Sequence, residues 1–342
     1  MKIGIDVSQA IYGTGVSDYV VELVNALPAE NLTLFGSSLR RQSDLKKLFP
    51  SSHAFPFPPA ALNILWNKFH KINIENFLGP LDVFHSSDWT QPPSICKKIT
   101  TIHDLTPFIY PQELNPEIVS VHTARMRWVV KECQAVICVS QSCAADFKRL
   151  FPQYAGQVHT IYEALPNRFL LSPQPVAEKD YLVAIGVRQP RKNISRLISA
   201  YHQFKSKYNL PEKLVIIGEN TNQNNYSDVI FTGYISNQKL TDYVANAVAF
   251  IYPSLYEGFG LPILVAFYLK TPVATSNISS MPEIAGSAAA LFDPIDEESM
   301  AIGISTAIKN KSQLVTAGTK QLSKFSWDKA AKQTLEVYKS LC

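Results

Sequence analysis

The stretch Tyr252-Pro-Ser-Leu-Tyr-Glu-Gly-Phe-Gly-Leu-Pro-Ile-Leu-Val-Ala-Phe-Tyr268 limits the possible folds more than any other part of the sequence. Just before it, Ala247 to Ile251 is short, apolar and β-branched enough for a buried parallel strand. Ile263 to Lys270 reads as a helix. The tight turn between them is Glu257, Gly258, Phe259, Gly260, Leu261 and Pro262. Pro262 falls where a first-turn proline is tolerated, and the glycines let the backbone approach a ligand. Strand, glycine turn and helix N-terminus together aim amides at one spot that suits an anion, above all phosphate. Glu257 beside that spot cannot hold phosphate, but it can accept hydrogen bonds from hydroxyls or support a cation. Phosphate plus hydroxyls suggests a sugar nucleotide. A βα turn whose glycines serve packing alone remains open at this point.

The same strand–helix rhythm fills the chain. At 342 residues it favours two domains of ordinary size, and 46% hydrophobic against 18% charged residues supplies two cores. A net charge of +4 suits an anionic small molecule or membrane surface and is too weak to argue for nucleic acid. The five cysteines include no Cys-x-x-Cys pair and read as reduced core thiols of a cytosolic protein, with no metal site. Met1 to Asp6 is already strand-like, without a signal-peptide pattern, and no apolar run approaches ~18 residues. A soluble or peripheral chain is expected, cytoplasmic or at the inner face of the membrane.

In chain order, strand Lys2–Val7 leads through Tyr12-Gly-Thr-Gly15 into helix Val16–Leu27. Gly13 and Gly15 do not complete a Gly-x-Gly-x-x-Gly pattern, since Asp18 takes the third place. Leu62 to Phe77 reads as one aromatic-rich helix, either packed or facing a membrane or acceptor. Asp82–Ser86 and Ile99–His103 are strands with polar ends, as ligand-facing strand ends are in open α/β sheets. Leu171 to Val176 carries two prolines and reads as the linker. Beyond it, strand Tyr181–Ile185 is followed by a turn crowded with Arg188, Arg191 and Lys192, a plausible diphosphate clamp beside the helix that starts at Ile194. Ser280-Met-Pro-Glu283 reads as a capping box.

Glu257-Gly-Phe-Gly-Leu-Pro262, Pro190-Arg-Lys-Asn193 and His103-Asp104 together resemble the signatures of retaining GT-B glycosyltransferases of family 4, over essentially the whole chain. The resemblance implies an α/β GT-B fold, two facing Rossmann-like domains with a central cleft. Residues 1–170 with the returning helix 326–342 would form the acceptor-side domain, and 177–325 the donor-nucleotide domain. It implies transfer of a hexosyl unit, mannosyl by overall look and then from GDP-mannose, to a glycan or lipid-linked acceptor with retention of configuration. His103 and Glu257 would be catalytic. Gly15, Arg188, Arg191, Lys192, Phe259, Gly260 and Leu261 would meet the donor diphosphate, with Lys192 the firmest match. Gly233, Tyr234 and Val265 would stand at the nucleoside. No Asp-x-Asp occurs in the chain, so neither metal nor cofactor is expected.

One position departs from the pattern. Members of the resembled family usually carry a second glutamate eight residues after the first, which bonds the ribose; here it is Val265, which cannot accept a hydrogen bond. The loss of such a bond is worth roughly 1.5–3 kcal/mol. Val265 leaves a rival reading open: a degenerate, non-catalytic GT-B protein acting as a partner or sugar-nucleotide-binding subunit. A GT-B sugar-nucleotide epimerase is a second rival, though its carboxylate constellation is not recognisable in the sequence.

Overall fold

A strand followed by a helix returns the chain to the same end of a sheet, so each βα repeat enforces parallel pairing. The structure, a computed structural model, describes residues 1–186, 189–219 and 226–342. Its strands are β1 Ile3–Asp6, β2 Leu32–Ser37, β3 His53–Phe55, β4 Val83–Ser86, β5 Lys97–Ile102, β6 Ala135–Cys138 and β7 Gln157–Thr160. They continue with β8 Tyr181–Ile185, β9 Lys213–Ile217, β10 Val229–Phe231, β11 Ala249–Tyr252, β12 Val273–Ser276 and β13 Ala289–Phe292. The first seven form one sheet in the order β3-β2-β1-β4-β5-β6-β7, and the last six form another, β10-β9-β8-β11-β12-β13. In both, the order reverses beside the first strand, where β1 pairs with β4 and β8 with β11 in parallel. At such a reversal neighbouring loops diverge and leave a crevice beyond the strand C-termini.

The chain divides into two compact units, Met1–Glu163 with Ser326–Cys342, and Ala164–Phe325. Residues 164–170, expected in the first domain, lie in the second unit. The expected linker is also held there, by Gln174 N–H to Asp242 Oδ1 (2.8 Å), Gln238 Nε2–H to the Ser172 carbonyl (3.0 Å) and Asn246 Nδ2–H to the Gln174 carbonyl (2.9 Å). Helix Trp327–Leu341 lays Ala330, Ala331, Val337 and Tyr338 against Val20, Leu23 and Val24 of helix Gly15–Ala26 in the core of the first unit. Buried polar groups there form a chain: Tyr338 Oη–His85 Nδ1 (2.6 Å), His85 Nε2–Thr101 Oγ1 (3.0 Å) and Thr101 Oγ1–Tyr19 Oη (2.9 Å). Burial, then the charges of His103 and Arg125, push His85 down to about 3, so its ring is neutral at physiological pH.

Leu62 to Phe77 is not one helix. Helix Pro59–Leu62 runs into a wide π turn, Asn63–Lys68, and helical structure resumes only at Glu75–Leu78. The break has a local cause: the Trp66 indole N–H donates to the Ile72 carbonyl at 3.0 Å and folds the chain back, with His70 and Ile72 left-handed. Trp66 itself is fully buried, as is Phe35, and the partly buried Phe55 and Phe77 pack against them. Cys133, Cys138 and Cys143 are free and buried, and burial pushes the Cys133 thiol up to about 12.

Candidate functional site

In the second unit the loops after β8 and β11 meet at the reversal of strand order. Helix Ile194–Phe204 starts from Asn193, left-handed at φ 59°. The Asn193 amide donates to the Pro253 carbonyl (3.2 Å) and the Pro294 carbonyl (2.7 Å), tying its loop to the one after β11. The Leu255 N–H adds a bond to the Arg191 carbonyl at 2.7 Å. Gly186, at φ 98°, lets the Lys192 stem pass over the turn: a Cβ there would lie 3.0 Å from Lys192 Cγ.

These loops bring three predicted residues together. Lys192 Nζ is 2.6 Å from Glu257 Oε1 and donates to Tyr252 Oη at 3.1 Å. Arg191 Nη1 is 3.2 Å from Glu257 Oε2 and donates to the Tyr256 carbonyl at 2.8 Å; its Nη2 reaches Gln189 Oε1 at 2.9 Å. Arg191 is therefore largely a brace for the loops, whereas Lys192 is the more accessible cation. Burial pulls the Glu257 carboxyl up, but Lys192 and Arg191 outweigh it and hold the group below the ordinary glutamate value. The same cluster raises Tyr252, chiefly through burial and then the Glu257 charge, so its phenol stays neutral.

The Glu257 backbone is clamped as well. Its N–H donates to Ser279 Oγ (3.1 Å), and its carbonyl accepts from Ser279 Oγ (2.8 Å) and Ser280 Oγ (3.0 Å). This corrects the capping box expected at Ser280–Glu283: the Ser280 hydroxyl is committed to Glu257, and helix Met281–Ala285 starts without a side-chain cap. Gly260 stands at φ 103°, which an L side chain rarely adopts, and helix Leu261–Tyr268 begins immediately after it. The amides of Phe259, Gly260 and Leu261 thus lie where a helix has no internal acceptors. The Phe259 ring is buried edge-on to Phe325, leaving its backbone as the group able to meet a ligand. Val265 is only 3% exposed. Tyr234 is 96% exposed, after Gly233, whose N–H bonds the Gly218 carbonyl at 3.1 Å. Arg188 lies outside the described residues.

In the first unit, His103 follows β5 with its Nδ1 at 2.9 Å from Glu163 Oε1. Tyr19 meets the ring edge-on at 4.6 Å between centroids. Burial lowers the His103 affinity for its proton, but the Glu163 hydrogen bond and charge, then Asp88 and Asp104, outweigh it and raise the pKa. With Nδ1–H given to the carboxylate, Nε2 is the atom left to meet a ligand. Asp104 Oδ1 accepts from the Thr106 N–H at 2.8 Å and shapes the loop. A cavity of about 20 Å³, room for one water, lies beneath, lined by Asp6, Tyr19, His85, Asp88, Thr101 and His103 among others. Gly15 opens helix Gly15–Ala26, with Thr14 and Ser17 forming a capping box before it. Asp18 puts a carboxylate in that helix's first turn, which favours the helix and opposes an added anion there.

Glu163, Tyr252 and Ser279 escaped the sequence reading. For Glu163 a signal was available, since it is a carboxylate just past a parallel strand, as His103 is. Glu163→Gln is expected to lower the His103 pKa, followed by histidine NMR titration. The sign is fixed by the raised value. The pairing stabilises the fold fully below the unfolded-state value of about 6.5 and is lost as pH rises through the higher folded value. An unchanged titration would show that the pair does not form in solution.

Two α/β units, each built on a parallel sheet with one reversal of strand order, make this a GT-B fold. A sucrose-phosphate synthase from Thermosynechococcus elongatus superposes with a TM-score of 0.75 at 19% identity, over 100% of this chain and 99% of that one. HepE from Anabaena, in complex with UDP, gives 0.67 at 15% identity over 100% of both chains. Residues 13–166 match the family described as Glycosyltransferase Family 4, and residues 172–333 the family described as Glycosyl transferases group 1. The chain belongs to glycosyltransferase family 4. It is 28% identical over 286 residues to O-antigen chain mannosyltransferase B of Escherichia coli, covering 76% of this chain and 74% of that protein. It is 26% identical over 235 residues to O-antigen chain mannosyltransferase RfbU of Salmonella typhimurium, covering 66% and 64%.

Proposed function

We propose that the chain moves a hexosyl unit, mannose first among the candidates, from a nucleoside-diphosphate sugar to a glycan or lipid-linked acceptor with retention of configuration. One observation carries the reading: Lys192, Arg191 and Glu257 converge at strand ends where the sheet order reverses, beside the start of helix Leu261–Tyr268. Mannose and polysaccharide synthesis come from the named activities of the two bacterial relatives.

In this reading the donor diphosphate takes Lys192 as its cation and the amides of Phe259, Gly260 and Leu261 as donors, with Gly15 and Arg188 as further contacts. Glu257 then exchanges its lysine for hydroxyls of the sugar. His103 meets a sugar hydroxyl through Nε2, accepting from it while Nδ1–H is held by Glu163. Tyr234 offers its free ring to the base, beside Gly233. No carboxylate is assigned as nucleophile. The departing phosphate oxygen takes the acceptor's proton as the acceptor oxygen bonds the anomeric carbon on the same face, which retains configuration. Lysine and the helix N-terminus neutralise the leaving group in place of a metal. With a lipid-linked acceptor the protein works at the inner face of the membrane.

The test is transfer by purified protein from GDP-mannose and other nucleotide sugars, with the product's anomeric configuration read by NMR. An α-linked product from GDP-mannose, formed in EDTA, is expected. An inverted product, or activity lost in EDTA and restored by Mn²⁺, would overturn the mechanism; binding without transfer of any sugar would overturn the enzyme reading.

A further inference from the structure

We propose that the segment Ile64–Ile72 of the first unit is a membrane-docking surface that seats on an anionic lipid bilayer. Ile64 is 46% exposed, Phe69 68% and Ile72 49%, an unusual density of bare large side chains within nine residues of a water-soluble fold. Lys68 and Lys71 alternate with them and are also exposed. Aromatic and aliphatic tips flanked by lysines match the boundary between acyl chains and charged headgroups.

The exposure is built, not left over from poor packing. Inward, Trp66 and Ile74 are fully buried. The turn is pinned by Phe69 N–H to the Ile64 carbonyl and Lys71 N–H to the Leu65 carbonyl, both 3.0 Å. His70 stacks on Trp128 at 3.6 Å, with Nδ1 at 2.9 Å from the Trp66 carbonyl and Nε2 at 3.0 Å from Glu132. The Trp128 indole N–H in turn donates to the Asn67 carbonyl at 2.8 Å. Left-handed backbone at His70 (φ 51°) and Ile72 (φ 64°) accompanies this arrangement, in which histidine is drawn in while its neighbours Phe69 and Ile72 stay out. Such a rigid tip loses little entropy on insertion.

Charge selects the occupant. From Leu45 to Ile74 the sequence has four lysines and no acidic residue. The carboxylates that flank this stretch or bond to it are spoken for: Asp44 by Arg41, Glu132 by Lys98 and His70, Glu75 by Ser94 and the Ile95 and Cys96 amides. A second copy docked on this face would set lysines against lysines with no carboxylate between them. A bilayer containing anionic lipid meets both the lysines and the apolar tips.

The proposal deepens the reading of a lipid-linked acceptor, but vesicle binding is measured without transfer, so either can fail alone. The test is co-sedimentation of the full chain with phosphatidylethanolamine–phosphatidylglycerol vesicles and with phosphatidylcholine vesicles. Wild type is expected to bind the anionic vesicles, less so at high salt. Phe69→Ser/Ile72→Ser and Lys68→Gln/Lys71→Gln are each expected to weaken binding about tenfold or more, with melting temperatures near wild type because the side chains are exposed. Equal binding to both vesicle types, or unchanged binding by either variant, would overturn the proposal. So would absence of vesicle binding together with a concentration-dependent dimer that the variants dissolve, which would assign the face to a second copy.

Discussion

Glu257→Gln is expected to separate donor binding from turnover. In the free protein the Glu257 carboxylate is the counter-ion of both Lys192 and Arg191, at 2.6 and 3.2 Å. A donor diphosphate that takes Lys192 as proposed displaces that carboxylate, so in this reading the free protein carries a built-in competitor. Glutamine keeps the shape and an acceptor oxygen but removes the competing charge. Nucleoside diphosphate affinity should hold or rise a few-fold, while kcat falls about a hundredfold, the upper value for losing a hydrogen bond to a charged group. Lys192→Ala should act the other way on binding, losing roughly ten- to a hundredfold of diphosphate affinity by the same measure. Buried Arg191 and part-buried Lys192 without their carboxylate also destabilise the fold, by at most the roughly 3–5 kcal/mol of breaking a fully buried pair. Bound diphosphate should therefore raise the melting temperature of Glu257→Gln more than that of wild type. Calorimetry with GDP and UDP, turnover and thermal melts on the three proteins settle it. Parallel loss of diphosphate binding and turnover in Glu257→Gln would mean that Glu257 acts only by holding the loop.

That the acid and the cations neutralise each other was not legible in the sequence, although each was. Lys192 and Glu257 stand 65 residues apart on separate loops, and only the pairing of β8 with β11 makes those loops neighbours. The sequence marks strand ends but not which strands lie side by side. The His103–Glu163 pair, 60 residues apart, was hidden for the same reason. Local grammar misled in two places. Ser280 has the spacing of a cap, but the nearby Glu257 carbonyl takes its hydroxyl. Leu62–Phe77 has helical aromatic spacing, but one indole hydrogen bond ends the helix. Two edge strands, β3 and β13, were not read at all: β3 runs straight into Pro56, Pro58 and Pro59, and Ala289-Ala-Leu-Phe292 of β13 has no β-branched residue. Central strands and long helices were legible, since a run buried on both faces is apolar throughout.

Val265→Glu is expected to destabilise the second unit, most strongly at high pH. Val265 lies in helix Leu261–Tyr268 with Ile263, Leu264, Ala266 and Phe267, all buried. Gly318 of helix Lys311–Leu322 lets that helix come close: a Cβ on it would lie 2.8 Å from the Phe267 ring. A carboxylate placed at a 3% exposed apolar position loses its water, and burial raises its pKa above the unfolded value of about 4.3. A raised pKa makes the cost grow as pH climbs from that value to the folded one, at about 1.4 kcal/mol per unit. The melting temperature of the variant should thus fall furthest below wild type at pH 8 and recover towards it near pH 5. Nucleoside diphosphate has a say in the outcome. If it draws the new carboxylate out to the ribose, as the resemblance to family 4 implies, saturating GDP or UDP should restore part of the lost stability. Deoxyribose analogues, lacking the hydroxyl to be bound, should then restore less. Equal rescue by both, or none, would mean that position 265 has become core and that ribose recognition in this chain rests on other residues. Tighter binding with an undiminished melting temperature at pH 8 would show the opposite: a position that already faces the nucleoside and lacks only the acceptor.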